Sequence, residues 1–439
     1  GDLAGAKKIV RQGLREDPDS EKMLDLKLRV DLLSRDWKSA AATFEKLRPM
    51  VYEREELAAR RLLVAQTLWG GLKQKEVTLR RSAARAANAL EVTGLNVALR
   101  EAVEDPDPLV RVYANGALLP QNFEGWLGLM KLSRSPKAKV RRAAAETMEK
   151  VSDRGYVFKS LTRLAEDPDP RVRAMALRSL ASVSRKKRRL FHRALGLLIS
   201  GLKDPAGPVR AEAASMLARL EAKVKVEWVK ETLKDPSLAV RLAALRGLKK
   251  KKKTEKELRA LAKGTDLFLA LRAAVTLTKR GVQDGCGAVL QRGMASKDWA
   301  VRAAALNAAS SMKKCPQAPK TVARGLEDTH PRVRLAAARA ALHSGWSKGQ
   351  AEKVGRELMK RPGVVAVSAA EVLAKAKVDG AVARLQDLAV DAQSTPRKRA
   401  VAALGRLGKG RKSVLKSWAK GPWPVRLAAA RVLWRWRDR

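Results

Sequence analysis

The residues with the clearest chemical potential are Cys286 and Cys315, the two cysteines of the chain, which lie 29 residues apart. Two thiols in this arrangement have two alternative states. They stay free, as in a reducing cytoplasm, or they form a disulfide, which would indicate an oxidising compartment such as a bacterial periplasm. Neighbouring helices lie about 8–10 Å apart, whereas a disulfide requires Cα atoms within about 7 Å. A bond would therefore require the connection to bend inward.

Other residues that could do chemistry are few. The three histidines are His192, His330 and His343, and none of them belongs to a His-Glu pair. The sequence contains no recognisable glycine-rich phosphate loop, paired catalytic carboxylates or nucleophile elbow. It therefore predicts a protein that is not an enzyme and that has no cofactor or metal site.

The charge of the chain is strongly basic and unevenly distributed. Its 439 residues carry 92 lysines and arginines against 45 acidic residues, a net charge of +47. Residues 1–104 account for only +4 of this charge, so the remainder of the chain carries +43. A surplus of this size is typical of proteins with acidic or polyanionic partners. Hydrophobic residues make up 46% of the chain but aromatic residues only 4%, which favours helices packed through Ala, Leu and Val.

No apolar stretch is long enough to span a membrane, and no signal peptide is visible. The chain starts at Gly1, apparently in the middle of a motif. We therefore expect the natural protein to extend further at its N-terminus, where a targeting signal would lie.

A motif of about 31 residues repeats along most of the chain. Residues 167–180 read DPDPRVRAMALRSL and residues 328–341 read DTHPRVRLAAARAA. Successive positions of the motif are separated by 27 to 37 residues, and all of them hold arginine except one, which holds Ser368. A regular period of this length indicates a solenoid. The arginines are Arg80, Arg111, Arg141, Arg173, Arg210, Arg241, Arg272, Arg302, Arg334, Arg399 and Arg426.

Each repeat is predicted to contain two helices. Apolar residues lie one position before the arginine and two, three and six positions after it, which is helical spacing; we call this segment helix B. The apolar segment before the turn is helix A. Pro108, Pro170, Pro208 and Pro331 lie near the first turn of helix B, where a missing N–H is tolerated. Asp107 and Asp169 precede such prolines and can cap the helix.

An aspartate recurs six residues before the arginine, and the combination resembles the HEAT repeat, particularly the bacterial kind related to phycobilisome-lyase repeats. The resemblance covers roughly residues 55–439. It implies a right-handed superhelix of antiparallel helix pairs in which the aspartate and arginine bond across neighbouring repeats. By that resemblance the ladder consists of Arg111, Arg173, Arg210, Arg241 and Arg334 with Asp105, Asp167, Asp204, Asp235 and Asp328. These arginines are predicted to be structural.

The N-terminal segment has a different period. GDLAGA at residues 1–6 returns as RDWKSA at residues 35–40, and DPDS lies between them at residues 17–20. This pattern resembles tetratricopeptide repeats. We therefore predict incomplete tetratricopeptide-like repeats over residues 1–52 and about twelve HEAT-like repeats over residues 53–439, ending in a Trp-rich cap.

The connections from helix B to the next helix A are rich in lysine and arginine. Because helices A and B run antiparallel, these connections should share one edge of the solenoid. Lysine near a helix C-terminus also suits the helix dipole, so a solvated surface is the alternative interpretation. The predicted basic edge comprises Arg185, Lys186, Lys187, Arg188, Arg189, Lys249, Lys250, Lys251, Lys252, Lys253, Lys279, Arg280, Lys313, Lys314, Lys409, Arg411 and Lys412.

The residue after the ladder arginine is small or apolar in helix B. In HEAT-like stacks helix B lines the concave face, and an apolar face suits a protein surface better than a phosphate backbone. These positions are Val112, Ala174, Ala211, Leu242, Ala273, Ala303, Leu335 and Leu427. The predicted rim of this face consists of Arg178, Arg246, Arg339 and Arg431.

Four tryptophans lie close together at the C-terminus: Trp418, Trp423, Trp434 and Trp436. They would cover the exposed face of the last repeat, or alternatively form an aromatic docking anchor.

Together these features predict an all-α solenoid that works as a non-catalytic scaffold. Its expected partners are acidic protein surfaces in a multi-subunit assembly, and the alternative is a nucleic-acid-binding HEAT-repeat protein. The compartment depends on the cysteines: periplasmic if they are bonded, otherwise cytoplasmic.

Overall fold

A computed structural model describes residues 2–51, 53–90, 95–119, 124–150, 155–185, 188–220, 231–248, 254–390 and 394–436. Within these ranges the chain forms α-helices joined by short connections, with a 3₁₀ turn at Arg48–Met50, and it contains no β-strand. The predicted all-α class and α-solenoid architecture are confirmed. Lys186, Lys187 and the run Lys249, Lys250, Lys251, Lys252 and Lys253 lie outside the described residues.

The chain divides into two compact units. The first combines both ends of the chain, Gly1–Gly128 and Pro362–Arg439, and we call it the terminal unit. The second is the continuous segment Leu129–Arg361, which we call the middle unit. Helix α8 contains the boundary between them in sequence.

The terminal unit contains seven complete helices and the start of α8 from its N-terminal part, and five helices from its C-terminal part. The first set is α1 (Leu3–Glu16), α2 (Glu21–Leu33), α3 (Trp37–Leu47), α4 (Glu53–Leu72), α5 (Val77–Leu90), α6 (Asn96–Ala102) and α7 (Pro108–Leu118), followed by α8 (Glu124–Leu132). The second set is α22 (Val364–Lys375), α23 (Ala381–Val390), α24 (Ser394–Leu407), α25 (Arg411–Lys420) and α26 (Trp423–Trp434). In this unit α25 packs on α3, and α26 packs on α4 and α5.

The middle unit is a row of helix pairs. Its helices B are α9 (Ala138–Met148), α11 (Pro170–Val183), α13 (Gly207–Arg219), α14 (Leu238–Leu248), α16 (Leu267–Lys279), α18 (Trp299–Ser311) and α20 (Pro331–Ser344). Its helices A are α10 (Gly155–Leu164), α12 (Arg188–Gly201), α15 (Glu255–Lys263), α17 (Cys286–Met294), α19 (Ala318–Leu326) and α21 (Lys348–Lys360). Successive helices B pack on each other, as α11 does on α9 and α13.

The starts of helix B follow the predicted turn chemistry. Asp107 and Asp169 are N-caps whose carboxylates accept hydrogen bonds from backbone N–H groups of the first turn, immediately before a proline. Asp298 caps α18 in the same way, although no proline follows it. His330 takes this role in α20, where its Nδ1 accepts a hydrogen bond from the Arg332 N–H. These caps satisfy donors that a helix otherwise leaves unpaired.

Helices A and B approach closely where helix A carries glycine. A Cβ on Gly293 would lie 2.8 Å from the Cβ of Ala305, and one on Gly325 would lie 2.4 Å from Leu306. Since a real Cβ does not approach other atoms so closely, any larger residue would push the helices apart. Glycine at these two positions of helix A therefore allows close packing against helix B of the same repeat at Ala305 and of the preceding repeat at Leu306.

An arginine–aspartate ladder joins the repeats. Arg173 donates to both carboxylate oxygens of Asp204 in the next repeat at 2.8 Å, and its third nitrogen donates to the Asp167 carbonyl of its own turn. The same arrangement recurs at Arg210, which reaches Asp235 in the next repeat. The pairs of the described ladder are Arg80–Asp105, Arg141–Asp167, Arg173–Asp204, Arg210–Asp235, Arg241–Asp266 and Arg302–Asp328.

Two expected members of the ladder differ. Arg111 keeps the bonds to the carbonyls of its own turn, Asp105 and Pro106, but the aspartate position of the next repeat holds Ser135. Arg334 pairs instead with Glu357 at 3.1 Å. The ladder therefore depends on which residue the following repeat offers.

Candidate protein-binding surfaces

Most residues of the predicted basic edge that the structure describes in the middle unit are exposed. Arg185 follows α11, Lys279 ends α16, and Lys313 and Lys314 lie between α18 and α19. All four side chains are exposed, and none forms an ion pair with another described residue. Arg189, in the first turn of α12, is also exposed.

Arg280 and Arg188, which also belong to the predicted edge, give no evidence of an exposed charge. Arg280 is half-buried and lies 3.3 Å from the hydroxyl of Thr254, so it takes part in local packing. Arg188 begins α12. The exposed residues of the predicted edge in the middle unit are therefore Arg185, Arg189 and the three lysines.

The terminal unit contains the remaining predicted edge residues, which have different environments. Lys409 and Lys412 are exposed. The side chain of Arg411 is only 12% exposed and lies 3.6 Å from Glu45 and 3.5 Å from Glu56. Arg411 thus contributes charge to the contact between α25 and the N-terminal helices of this unit.

The predicted rim arginines also differ among themselves. Arg178 forms a two-bond ion pair with Glu212 on the next helix B, at 2.8 Å for each bond. This hydrogen bond outweighs the effect of burial and raises the pKa of Arg178. Arg246 is exposed and lies 3.3 Å from the Ser215 hydroxyl. The exposed arginines of the set are Arg246, Arg339 and Arg431.

The apolar positions of helix B are only partly accessible. None of the predicted set is exposed. The half-buried ones are Ala174, Ala211, Leu242 and Ala303, all in the middle unit. The buried ones are Val112, Ala273, Leu335 and Leu427. The accessible part of this face is therefore shallow and made of small side chains, with Leu242 the largest.

The C-terminal tryptophans pack inside the terminal unit. Trp418 is fully buried, and its indole N–H donates to the Thr67 hydroxyl at 2.6 Å. Its ring meets Trp37 edge to face, with centroids 5.5 Å apart. Trp436 is also buried, and Trp423 and Trp434 are half-buried. The aromatic cluster is thus occupied by contacts with the N-terminal helices α3 and α4.

Arg426 completes this cluster. Its guanidinium lies 5.0 Å from the centroid of Trp37 and 5.1 Å from that of Trp423. It donates to the carbonyls of Trp418 and Ala419 in the last turn of α25, which satisfies acceptors that a helix end leaves unpaired. Burial lowers the pKa of Arg426 to about 10, so it stays charged at neutral pH.

Cys286 and Cys315 form a disulfide across adjacent repeats of the middle unit, with Cα atoms 6.2 Å apart. Both cysteines are buried. Gly285, with a φ of +74°, precedes Cys286 and supplies the left-handed backbone at the start of α17. This turn brings the chain closer than the spacing of neighbouring helices alone would allow.

Sequence reasoning missed several residues at these surfaces. Lys38 in α3 and Lys416 and Lys420 in α25 are exposed but are absent from the predicted basic edge. Thr67 gave no signal as a partner of Trp418. Only the packing of α3 and α4 against α25 and α26 brings these residues together.

No described helix is long and apolar enough to cross a membrane. Across the same described ranges, no group of three or more His, Cys, Asp or Glu residues is arranged to hold a metal ion.

The comparisons first define the class of repeat. Residues 127–191 match the family model described as HEAT repeats. The predicted HEAT-repeat character is therefore confirmed for residues 127–191, whereas the phycobilisome-lyase-like kind and the tetratricopeptide-like segment stay predictions. No curated protein sequence matches the chain.

Among solved structures, Escherichia coli YibA is similar at 16% identity with a TM-score of 0.41, covering 60% of this chain and 96% of YibA. Kap95p, from a structure with RanGDP, is similar at 14% identity with a TM-score of 0.36, covering 89% of this chain and 61% of Kap95p. The karyopherin Kap121p, bound to the C-terminus of the phosphatase Cdc14p, is similar at 14% identity with a TM-score of 0.31, covering 93% of this chain and 49% of Kap121p. The chain thus spans about half to three fifths of the length of these two proteins.

Proposed function

We propose that the chain is a non-catalytic scaffold that docks acidic protein partners along the basic edge of the middle unit, within a larger assembly. One observation carries the proposal. Ladder arginines such as Arg173 are held by carboxylates of the next repeat, whereas Lys279, Lys313 and Lys314 are exposed and have no ion pair among the described residues. The two kinds of cation therefore have different roles.

The edge lysines suit a docking role for an electrostatic reason. Charges on a rim attract an oppositely charged partner during diffusion, so they act chiefly on the association rate. The half-buried apolar positions of helix B, such as Leu242, would add contact area that salt does not screen. A scaffold with both features binds acidic protein surfaces quickly and keeps part of its affinity at high salt.

The disulfide supports an oxidising compartment, such as a bacterial periplasm, as the site of this function. Disulfides persist in such compartments and are rare where thiols are kept reduced. Counting free thiols in protein extracted under alkylating conditions tests this directly. Two reactive thiols per unfolded chain would contradict the proposed compartment.

The docking proposal is tested with a charge variant and a matched control. The edge variant changes Lys279, Lys313 and Lys314 to Gln. The control changes three exposed lysines at the opposite turns of the same unit, Lys203, Lys234 and Lys297, and so removes the same charge. The probes are labelled poly-L-glutamate and a labelled DNA duplex, each measured over a series of salt concentrations.

We expect the edge variant to associate with polyglutamate several-fold more slowly at low salt, and the control to behave like the parent protein. Equal rates for the two variants would contradict a docking edge. A duplex that saturates the protein at physiological salt while polyglutamate fails to bind would favour the nucleic-acid alternative, since phosphate contacts dominate such binding.

A further inference from the structure

The terminal unit contains a cleft between α3 and α25 that no sequence motif predicted. Its volume is about 510 Å³. The apolar part of its lining comes from small side chains and one leucine. These residues are Ala41, Ala42, Leu415 and Ala419. Because alanine projects little, a bound chain could approach the two helices closely.

Five lysines surround this apolar floor. Lys412, Lys416 and Lys420 follow one another at intervals of four residues, and so lie on one face of α25. Like charges at this spacing repel each other. Lys38 and Lys46 line the cleft from α3. All five side chains are exposed.

Few of the described residues compensate this charge. Lys46 pairs with Asp19 at 3.0 Å and donates to the Pro18 carbonyl. None of the other four lysines forms an ion pair with a described residue. Each is therefore available to an anion that enters the cleft.

The one acidic residue that lines the cleft does not cancel the lysines. Glu45 is half-buried, and its carboxylate lies 3.6 Å from the guanidinium of Arg411. Its charge is thus balanced within the protein. The cleft is left with a clear positive surplus over an apolar floor.

We propose that this cleft binds an acidic amphipathic helix of a protein partner. The inference rests on the proposed scaffold function and adds a second site, in a different unit, with a defined kind of ligand. A helical ligand fits because successive lysines on α25 lie about 6 Å apart along the axis, the same rise as glutamates placed every four residues on a helix. The apolar face of such a helix would pack on Ala41, Ala42, Leu415 and Ala419.

The lining favours a peptide over nucleic acid. A phosphate backbone gains nothing from an alanine and leucine floor, and its binding comes from cations alone. Single-stranded nucleic acid would use aromatic side chains for base stacking, and no aromatic residue lines the cleft. An acidic helix uses both the lysines and the floor.

The test uses a labelled helical peptide of about 15 residues, long enough for measurable helicity, with Glu every four residues beside a Leu and Ala face. The cleft variant changes Lys412, Lys416 and Lys420 to Gln, and the control is the Lys203, Lys234 and Lys297 variant. We expect the cleft variant to weaken binding about tenfold, as three exposed ion pairs would, and the control to weaken it less than about twofold.

A floor variant places a negative charge inside the cleft. Ala42→Glu adds this charge at an exposed position, so the fold should survive and acidic-peptide binding should fall below that of the parent protein. A peptide with Gln in place of Glu should bind poorly to every version.

The proposal is overturned if the parent protein does not bind the acidic peptide, if the control loses as much affinity as the cleft variant, or if the Gln peptide binds equally well. It is also overturned if a DNA duplex competes for the cleft more strongly than the peptide. Since the edge experiment alters only the middle unit, its failure would leave the cleft result interpretable by itself, and the reverse also holds.

Discussion

Arg173 and Asp204 lie 31 residues apart and form two parallel hydrogen bonds of 2.8 Å, while the same guanidinium holds the Asp167 carbonyl. One side chain therefore joins its own turn to the next repeat. The side chains of the pair are only 15% and 12% exposed, so solvent weakens the interaction less than it would a surface pair.

Replacing Arg173 with Ala should lower the free energy of unfolding by about 1–3 kcal/mol, because a buried carboxylate loses its charged donor. Urea unfolding measures the change. Arg272 provides a matched control: it holds the same motif position but is exposed and forms no ion pair with the described residues, and the next repeat offers Ser296. Arg272→Ala should change stability little, and polyglutamate binding should survive in both variants. Equal destabilisation by the two changes would contradict the ladder as the cause.

The ladder should also make the protein sensitive to acid. The pKa of Asp235 lies below its usual value, chiefly because Arg210 donates to it. The pKa of Asp204 is also below its usual value. Burial raises this pKa, but the hydrogen bonds from Arg173 and the Ala206 N–H lower it by more. Depressed pKa values mean that the stabilisation is complete above the unfolded-state pKa of about 3.9 and is lost as pH falls through the lower folded-state values.

We therefore expect the melting temperature to be nearly constant down to about pH 5 and to fall below about pH 4. Asp235→Asn should start from a lower melting temperature at neutral pH and lose less on acidification. An identical acid response in the variant would assign the acid sensitivity to other carboxylates.

The contact between Trp418 and Thr67 should couple the two ends of the chain. Trp418→Phe and Thr67→Val each remove one partner of a buried hydrogen bond, and each should cost about 1 kcal/mol or more. In a double-mutant cycle the two costs should not add, since the second change removes a bond that is already lost. Additive losses would mean that the hydrogen bond contributes nothing to stability.

Removing the disulfide should destabilise the middle unit. The bond closes a loop of 29 residues, for which chain entropy gives about 3–4 kcal/mol. A Cys286→Ser, Cys315→Ser double variant should therefore unfold at lower urea concentration, and reductant should no longer affect it. Reductant should shift the parent protein in the same direction, whereas a parent protein indifferent to reductant would contradict a stabilising bond.

The sequence predicted the parts of the structure that depend on short spacings. Arg173, Asp167 and Pro170 recur within one turn, and each has a local physical reason, so the turn, the helix start and the cross-repeat pair could all be expected. The motif around Arg111 alone does not predict a cross-repeat ion pair correctly, because the next repeat has Ser135 where the ladder needs an aspartate.

Contacts between the two ends of the chain could not be predicted in the same way. Trp37 and Trp418 belong to unrelated motifs, and no periodicity connects them. Lys416 and Lys420 were overlooked for the same reason, since they form part of a cleft only once α25 lies beside α3. Arg411 looked like part of a basic run, and only its neighbours Glu45 and Glu56 reveal its role in packing.

The discontinuous terminal unit has a consequence for how the chain is made. Arg60 donates to the carbonyl of Trp436, 376 residues later, so this hydrogen bond forms only after the intervening residues have been synthesised. The ladder of the middle unit needs only the following repeat, about 31 residues away, and such local contacts form early. The middle unit should therefore fold during translation. A nascent chain stopped before α25 would display α3 and α4 with part of their apolar surface uncovered, because α25 and α26 pack on these two helices.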